Sequence, residues 1–74
     1  MKAYEIKDNG MMKFTIYLPK EKVEPMGKWL SGREEVLHII EAAGLIMVDL
    51  TPLCEDEDVK KFFNDLEKEL KEIS

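Results

Sequence analysis

The sequence feature that most constrains the fold is a turn signal, Asp8-Asn9-Gly10, placed between two segments that alternate apolar and polar residues. Alternation with a period of two is typical of β-strands, so we predict strands over residues 2–7 and 11–18. Asp-Gly and Asn-Gly sequences between such segments favour a tight β-hairpin. The chain is therefore expected to begin with two antiparallel strands.

The side chains of these strands predict how they pair. A three-residue loop over residues 8–10 pairs Ile6 with Met12 and Tyr4 with Phe14, which separates apolar from polar residues. We expect a type I turn with Gly10 in the left-handed conformation, which forms a β-bulge. The apolar face is expected to hold Tyr4, Ile6, Met12, Phe14, Ile16 and Leu18. The opposite face is expected to hold Ala3, Glu5, Lys13, Thr15 and Tyr17.

Two helices are predicted between residues 20 and 44. Residues 20–30 have apolar side chains at helical spacing, although they contain Pro25, which removes a backbone donor. Ser31 and Glu34 fit the first and last positions of a capping box, which marks the start of a second helix. That helix is expected to end at Gly44. Its buried residues would be Val36, Leu37, Ile40 and Ala43.

Residues 45–51 are predicted to form a third strand, because they are apolar on both faces apart from Asp49. Such a strand is typical of the centre of a sheet or of a subunit interface. The acidic run over residues 55–58 then begins the last helix, where negative charge complements the helix macrodipole. The apolar stripe of this helix comprises Val59, Phe62, Phe63, Leu66, Leu70 and Ile73.

These elements predict a single α+β domain over residues 1–74, in the order β-β-α-α-β-α. The hairpin and the third strand would form a small, mainly antiparallel sheet with the helices packed on one face. The last helix is expected to cover the apolar face of the hairpin. The opposite face would stay open for a partner, with Lys13, Thr15 and Tyr17 as candidate binding residues.

Composition limits the classes of protein to which the chain can belong. Charged residues make up 36% of it, no apolar run is long enough to span a membrane, and no signal-peptide core is recognisable. A single cysteine excludes an intrachain disulfide and favours the cytoplasm. A 74-residue domain without a disulfide or metal cluster is expected to self-associate, most simply as a homodimer. Abundant lysine and glutamate with no glutamine is the pattern of thermophile proteins.

No pattern in the chain predicts an enzyme, a metal site or a bound cofactor. His38 is interpreted as structural, because no partner that would make it a general base is identifiable. Cys54 precedes a run of acids that opposes a thiolate, so we expect an ordinary thiol. The acids of residues 55–58 are interpreted as a solvated helix start, with weak binding of a divalent cation as the alternative.

Two kinds of apolar residue are open to two interpretations. Trp29 is a candidate anchor for a protein partner, or it caps the small core. The methionines mark an adaptable binding surface or fill gaps in the core. They are Met11, Met12, Met26 and Met47.

The second strand reads Lys-Phe-Thr-Ile-Tyr-Leu-Pro from Lys13, and a predicted helix and the Ser31 capping box follow it. In this order, residues 13–44 resemble the ribbon-helix-helix family of DNA-binding repressors and antitoxins. The resemblance implies a dimer whose paired strands enter the major groove, with Lys13, Thr15 and Tyr17 facing the DNA. The preceding hairpin and the acidic last helix lie outside the resemblance.

The leading hypothesis is a small non-enzymatic module that binds itself or another protein through the open sheet face or a strand edge. A ribbon-helix-helix-like regulator that binds nucleic acid is the first alternative. The net charge of −5 disfavours it, because contacts to phosphates need clustered lysine and arginine. A weak divalent-cation-binding protein is the second alternative.

Overall fold

The computed structural model describes residues 4–52 and 55–73. Over these residues the chain forms one four-stranded antiparallel sheet and two α-helices. The strands are β1 (Glu5–Gly10), β2 (Lys13–Tyr17), β3 (Val36–Ala42) and β4 (Leu45–Leu50), in the sheet order β1-β2-β4-β3. The helices are α1 (Val23–Ser31), which follows a 3-10 turn at Lys20–Lys22, and α2 (Asp56–Ile73). The predicted α+β class and the predicted layering are confirmed.

The core lies between the two helices and one face of the sheet. Successive side chains of a strand alternate between its faces, so every second residue of β2 and β4 points at the helices. Both helices place an apolar stripe against these residues. The buried core residues of these strands are Phe14, Ile16, Ile46, Val48 and Leu50. Those of the helices are Val23, Met26, Leu30, Phe62, Leu66 and Leu70.

Helix α2 forms where the acidic run and the apolar stripe predicted it. It begins at Asp56 with acids throughout its first turn, where the macrodipole favours negative charge. The backbone N–H of Glu55 donates to the Asp58 carboxylate at 3.2 Å, as in one half of a capping box. The ring centroids of Phe14 and Phe63 lie 5.0 Å apart. This helix therefore covers the apolar face of the hairpin, as predicted.

Helix α1 confirms the short helix predicted over residues 20–30. Pro25 lies in its first turn, where a missing N–H costs no intrahelical hydrogen bond. The buried Gly27 lies beside Glu41 of β3, and a Cβ at position 27 would stand 2.6 Å from Glu41 Oε2. The missing side chain therefore leaves room for the glutamate between α1 and the sheet.

The second helix predicted between Ser31 and Gly44 is wrong, because Val36–Ala42 form strand β3. A β-bulge between Val36 and His38 adds one residue to this strand. As a result, Val36 and Ile39 both pack against the core although they are three residues apart. The wrong prediction rested on the apparent capping box of Ser31 and Glu34 and on the helical spacing of Val36, Leu37, Ile40 and Ala43.

The ends of that segment also differ from the prediction. Ser31 ends α1 instead of capping a second helix, and Ala43-Gly44 is the two-residue turn between β3 and β4. Gly44 has a φ of +79°, which a glycine adopts without strain. Leu37 and Ile40, which the prediction placed in the core, are exposed. The element order is therefore β-β-α-β-β-α.

Strand β4 takes the central position that its apolar composition predicted. It pairs with β2 on one side and with β3 on the other. The predicted third strand over residues 45–51 is thus confirmed, and it has a neighbour that the prediction had assigned to a helix.

The β1–β2 hairpin is confirmed, but its turn lies further along the chain than predicted. Ile6 pairs with Ile16 instead of Met12, and the two-residue loop is Met11-Met12. Gly10 has the predicted left-handed conformation, with a φ of +76°, beside a β-bulge. The predicted and observed registers differ by an even number of residues, so every strand residue keeps its face. Both registers therefore place apolar and polar side chains on opposite faces, so this criterion could not distinguish them.

The apex of this hairpin is strained. Met11 and Met12 both have positive φ angles, 52° and 64°, as a type I′ turn requires. A residue with a Cβ in the left-handed region costs roughly 1–2 kcal/mol. The Leu50 N–H donates to the Met12 carbonyl at 2.8 Å and ties the apex to the end of β4.

We expect the double substitution Met11→Asn with Met12→Gly to raise the free energy of unfolding by roughly 1–2 kcal/mol, because Asn-Gly suits this turn. Urea denaturation followed by circular dichroism measures the change. The Met11→Lys variant keeps a strained residue and should change the free energy of unfolding by less than about 0.5 kcal/mol. An unchanged or lower value for the double variant would contradict the strain.

Candidate interaction face

Within the described part of the chain, both helices pack on one face of the sheet and the other face is open. Cross-strand pairing arranges the side chains of this second face in rows. The middle row is Lys7, Thr15, Met47 and Ile40. One flanking row is Glu5, Tyr17, Leu45 and Ala42, and the other is Lys13, Asp49 and His38. We call these residues the open face.

The centre of the open face is apolar and reaches solvent. The exposed fractions of Tyr17, Ile40 and Met47 are 40%, 49% and 44%. Ile40 pairs directly with Met47, and Tyr17 pairs with Leu45 on the same strand as Met47. Single exposed apolar residues are common, whereas large contiguous apolar patches are typical of interaction surfaces.

One end of the open face is polar and carries charges of both signs. Lys13 pairs with Asp49, and Asp49 pairs with His38 on its other side. Side chains in such cross-strand positions stand about 4.5–5.5 Å apart at Cβ, close enough for opposite charges to attract. The apolar patch is therefore bordered by groups that can orient a partner.

Thr15 lies in the open face but is covered. Its hydroxyl oxygen accepts a hydrogen bond from the Asn9 side-chain amide at 2.7 Å, and only 6% of the residue is exposed. Asn9 belongs to the bulge of β1, which brings its side chain across the strand. A partner on this half of the face would therefore meet Asn9 before Thr15.

The structure brings together three of the four residues that the sequence predicted to bind a partner. Lys13, Thr15 and Tyr17 lie on β2 within the open face. Trp29 lies on α1, on the opposite side of the sheet, where its ring stacks on Phe62 with centroids 6.0 Å apart. It packs against the core there, which agrees with the alternative interpretation of this tryptophan.

Arg33 connects the segment around Trp29 to helix α2 through hydrogen bonds and a cation–π contact. Its guanidinium lies 5.2 Å from the centre of the indole ring and donates to both carboxylate oxygens of Glu35 at 3.1 Å. It also donates to Asp65 of α2 at 3.0 Å. Burial alone would lower the pKa of Arg33, but the hydrogen bonds and charges of Glu35 and Asp65 raise it above its ordinary value. The network joins the loop after α1 to α2.

Both edges of the sheet are interrupted by bulges. The ladder of β1 shifts between Asp8 and Gly10, and that of β3 shifts between Val36 and His38. A bulge twists an edge and removes groups that another strand would need for pairing. The open face is therefore better suited to association than either edge.

The remaining candidate residues are His38, Cys54 and the acids of residues 55–58. His38 is exposed on β3, and Cys54 lies outside the described residues. Across residues 4–52 and 55–73, no group of three or more His, Cys, Asp or Glu side chains is placed to hold a metal ion. Neither helix of this part of the chain is long and apolar enough to cross a membrane.

Sequence reasoning missed the β3 and β4 half of the open face. Ile40 was assigned to a buried helix face, and Met47 had no neighbour to pair with. Two signals favoured the strand: the β-branched residues Val36, Ile39 and Ile40, and a third strand apolar enough to need a neighbour on each side.

The chain matches no family model, no curated protein and no solved structure. The resemblance to ribbon-helix-helix proteins implied a second helix after Ser31, and strand β3 occupies that place. The expected ribbon-helix-helix arrangement is therefore not the fold of this chain.

We expect Arg33→Met to lower the free energy of unfolding by roughly 2–3 kcal/mol, because Glu35 and Asp65 lose a charged hydrogen-bond partner in a half-buried site. Lys28→Met is the matched control. Lys28 pairs with Glu24 at 3.7 Å with both side chains about four-fifths exposed, so its loss should cost less than about 0.5 kcal/mol. Equal effects of the two variants in urea denaturation would contradict this role of Arg33.

Proposed function

We propose that this protein is a small non-enzymatic interaction module of the cytoplasm that self-associates as a homodimer through the open face. The observation that carries the proposal is the exposed apolar patch of Tyr17, Ile40 and Met47 on neighbouring strands. Burial of such a patch supplies the main driving force for association.

A second copy of the chain suits the charges of this face. Glu5 and Asp49 are acidic, while Lys7 and Lys13 are basic, so the face carries both signs around its apolar centre. A face of one sign would repel its own copy, whereas a mixed face can place acids opposite bases. The two-fold symmetry of a homodimer needs such self-complementarity.

The charge balance favours a protein partner over nucleic acid. The whole chain has a net charge of −5, and the acids of the open face offset its two lysines. Binding to a phosphate backbone needs a clustered basic surface. Binding of duplex DNA at low salt that is lost in Lys13→Glu would instead favour the nucleic-acid alternative.

We expect Met47→Lys and Ile40→Lys to raise the dimer dissociation constant at least roughly tenfold, because each places a charge in the apolar centre of the interface. Analytical ultracentrifugation over a concentration series measures the constant. Circular dichroism should show that both variants remain folded, since both side chains are half exposed in the monomer.

The Met11→Lys variant is the control for this experiment. It makes the same change of charge at the hairpin apex, where Met11 is 92% exposed and lies outside the open face, so it should dimerise normally. A wild-type chain that remains monomeric even at roughly 1 mM would contradict the proposal, because its association would be weaker than about −4 kcal/mol.

A further inference from the structure

Two opposite charges lie side by side at the polar end of the open face. Lys13 of β2 pairs with Asp49 of β4 across the central ladder of the sheet. Phe14, Val48 and Leu50 are buried on the helix side, so strand alternation directs Lys13 and Asp49 to the open face. Within the described part of the chain, no ion pair involves either of these two residues. Both charges are therefore available to a partner.

The position of the β2–β4 ladder limits how two copies of the open face can meet. This ladder is the middle of the four-stranded sheet, with one further strand on each side. Sheets that stack face to face lie about 10 Å apart, with their strands aligned to within about 30°. The two-fold axis of such a pair lies between the sheets and runs either along the strands or across them. The two arrangements bring different residues together.

An axis along the strands, midway between β2 and β4, places β2 of each copy over β4 of the other. Residues of the same row then face one another across the interface. Lys13 of each copy faces Asp49 of the partner subunit, so the four charges alternate in sign around the axis. At the other end of the ladder, Tyr17 faces Leu45 of the partner subunit. This arrangement pairs charge with charge and apolar surface with apolar surface.

An axis across the strands, through the middle row, places each residue of that row over its own copy. Lys7 would then face Lys7 of the partner subunit, and Asp49 would face Leu45 of the partner subunit. Like charges repel, and a carboxylate against an apolar side chain loses hydration without gaining a counter-charge. The charges of the open face therefore favour the axis along the strands.

We infer that the homodimer has its two-fold axis parallel to the strands, between β2 and β4, and that reciprocal pairing of Lys13 with Asp49 selects this register. The inference rests on the proposed self-association and adds the residues that meet in it. A second copy of the chain fits because each copy supplies one base and one acid at matching positions. The apolar centre drives association, and the two ion pairs fix the orientation.

Charge reversal at the two positions tests this register. In their homodimers, Lys13→Glu places two acids opposite Asp49, and Asp49→Lys places two bases opposite Lys13. Each variant is expected to raise the dimer dissociation constant at least roughly tenfold. In a mixture of the two variants, the introduced glutamate faces the introduced lysine, and the native Asp49 faces the native Lys13. The heterodimer should therefore dissociate with a constant within roughly threefold of the wild-type value.

The heterodimer is measured by fluorescence-detected ultracentrifugation. The Asp49→Lys chain carries fluorescein at its N-terminus, and the second chain is added in increasing amounts. Lys7→Glu is the matched control, because it makes the same change of charge on the open face while Lys7 faces Ile40 of the partner subunit in this register. It should bind the labelled Asp49→Lys chain at least roughly fivefold more weakly than Lys13→Glu does.

The outcomes separate this inference from the proposal on which it rests. Equal binding of the labelled chain by Lys13→Glu and Lys7→Glu would mean that net charge alone governs the mixture. Binding by neither variant, with a wild-type chain that dimerises, would mean that residues 13 and 49 do not meet. Either result overturns the inferred register and leaves self-association standing. A wild-type chain that remains monomeric overturns both.

Lys13→Gln and Asp49→Asn are milder variants in case a charge reversal perturbs the fold, which circular dichroism detects. Each removes one charge from both ion pairs of the homodimer. The dissociation constant should rise several-fold and depend less on salt concentration than that of the wild-type chain. An unchanged constant with unchanged salt dependence in these folded variants would contradict the pairing of Lys13 with Asp49.

Discussion

The pairing of β2 with β4 is the contact on which the rest of the structure depends. It joins residues 13–17 to residues 45–49, which are far apart in the chain and belong to different hairpins. A two-stranded hairpin alone is marginally stable at best in water, so each hairpin needs the other. The same pairing sets Phe14 beside Val48 and Ile16 beside Ile46, and these buried side chains form the surface against which the helices pack.

The one-sided layering follows from this arrangement and from the length of the chain. Helix α2 has 18 residues and is about 27 Å long, enough to cross the sheet once. Together with α1 it covers the face that carries the buried residues of β2 and β4. The remaining segments of the described chain are short turns and loops, which leaves the second face to solvent. An open face with Ile40 and Met47 at its centre is thus the direct result of two helices packing on four strands.

The parts of the fold that were predictable are those with an uninterrupted pattern. The apolar stripe of α2 follows one period from end to end, the apolar run of β4 is broken only by Asp49, and both elements were placed correctly. β3 was not, because the bulge between Val36 and His38 interrupts the strand alternation, while Ser31, Glu34 and the spacing of apolar residues favoured a helix. The predicted register of the first hairpin was wrong for another reason: a shift of the pairing by an even number of residues leaves every side chain on the same face of the sheet. The sequence predicted the half of the open face that contains Lys13, Thr15 and Tyr17. It missed Ile40, because β3 was predicted to be a helix.

Arg33 has a consequence for how the molecule opens. Its guanidinium contacts the indole of Trp29 and the ring of Phe62 while it is held by Glu35 and Asp65. Separation of α2 from the sheet would therefore break the stacking of Trp29 on Phe62 and the ion pair of Arg33 with Asp65 in one step. Proteins open in cooperative units whose limits are set by such shared contacts. α1, the start of β3 and the middle of α2 consequently belong to one unit, and slow hydrogen exchange in one of them implies slow exchange in all three.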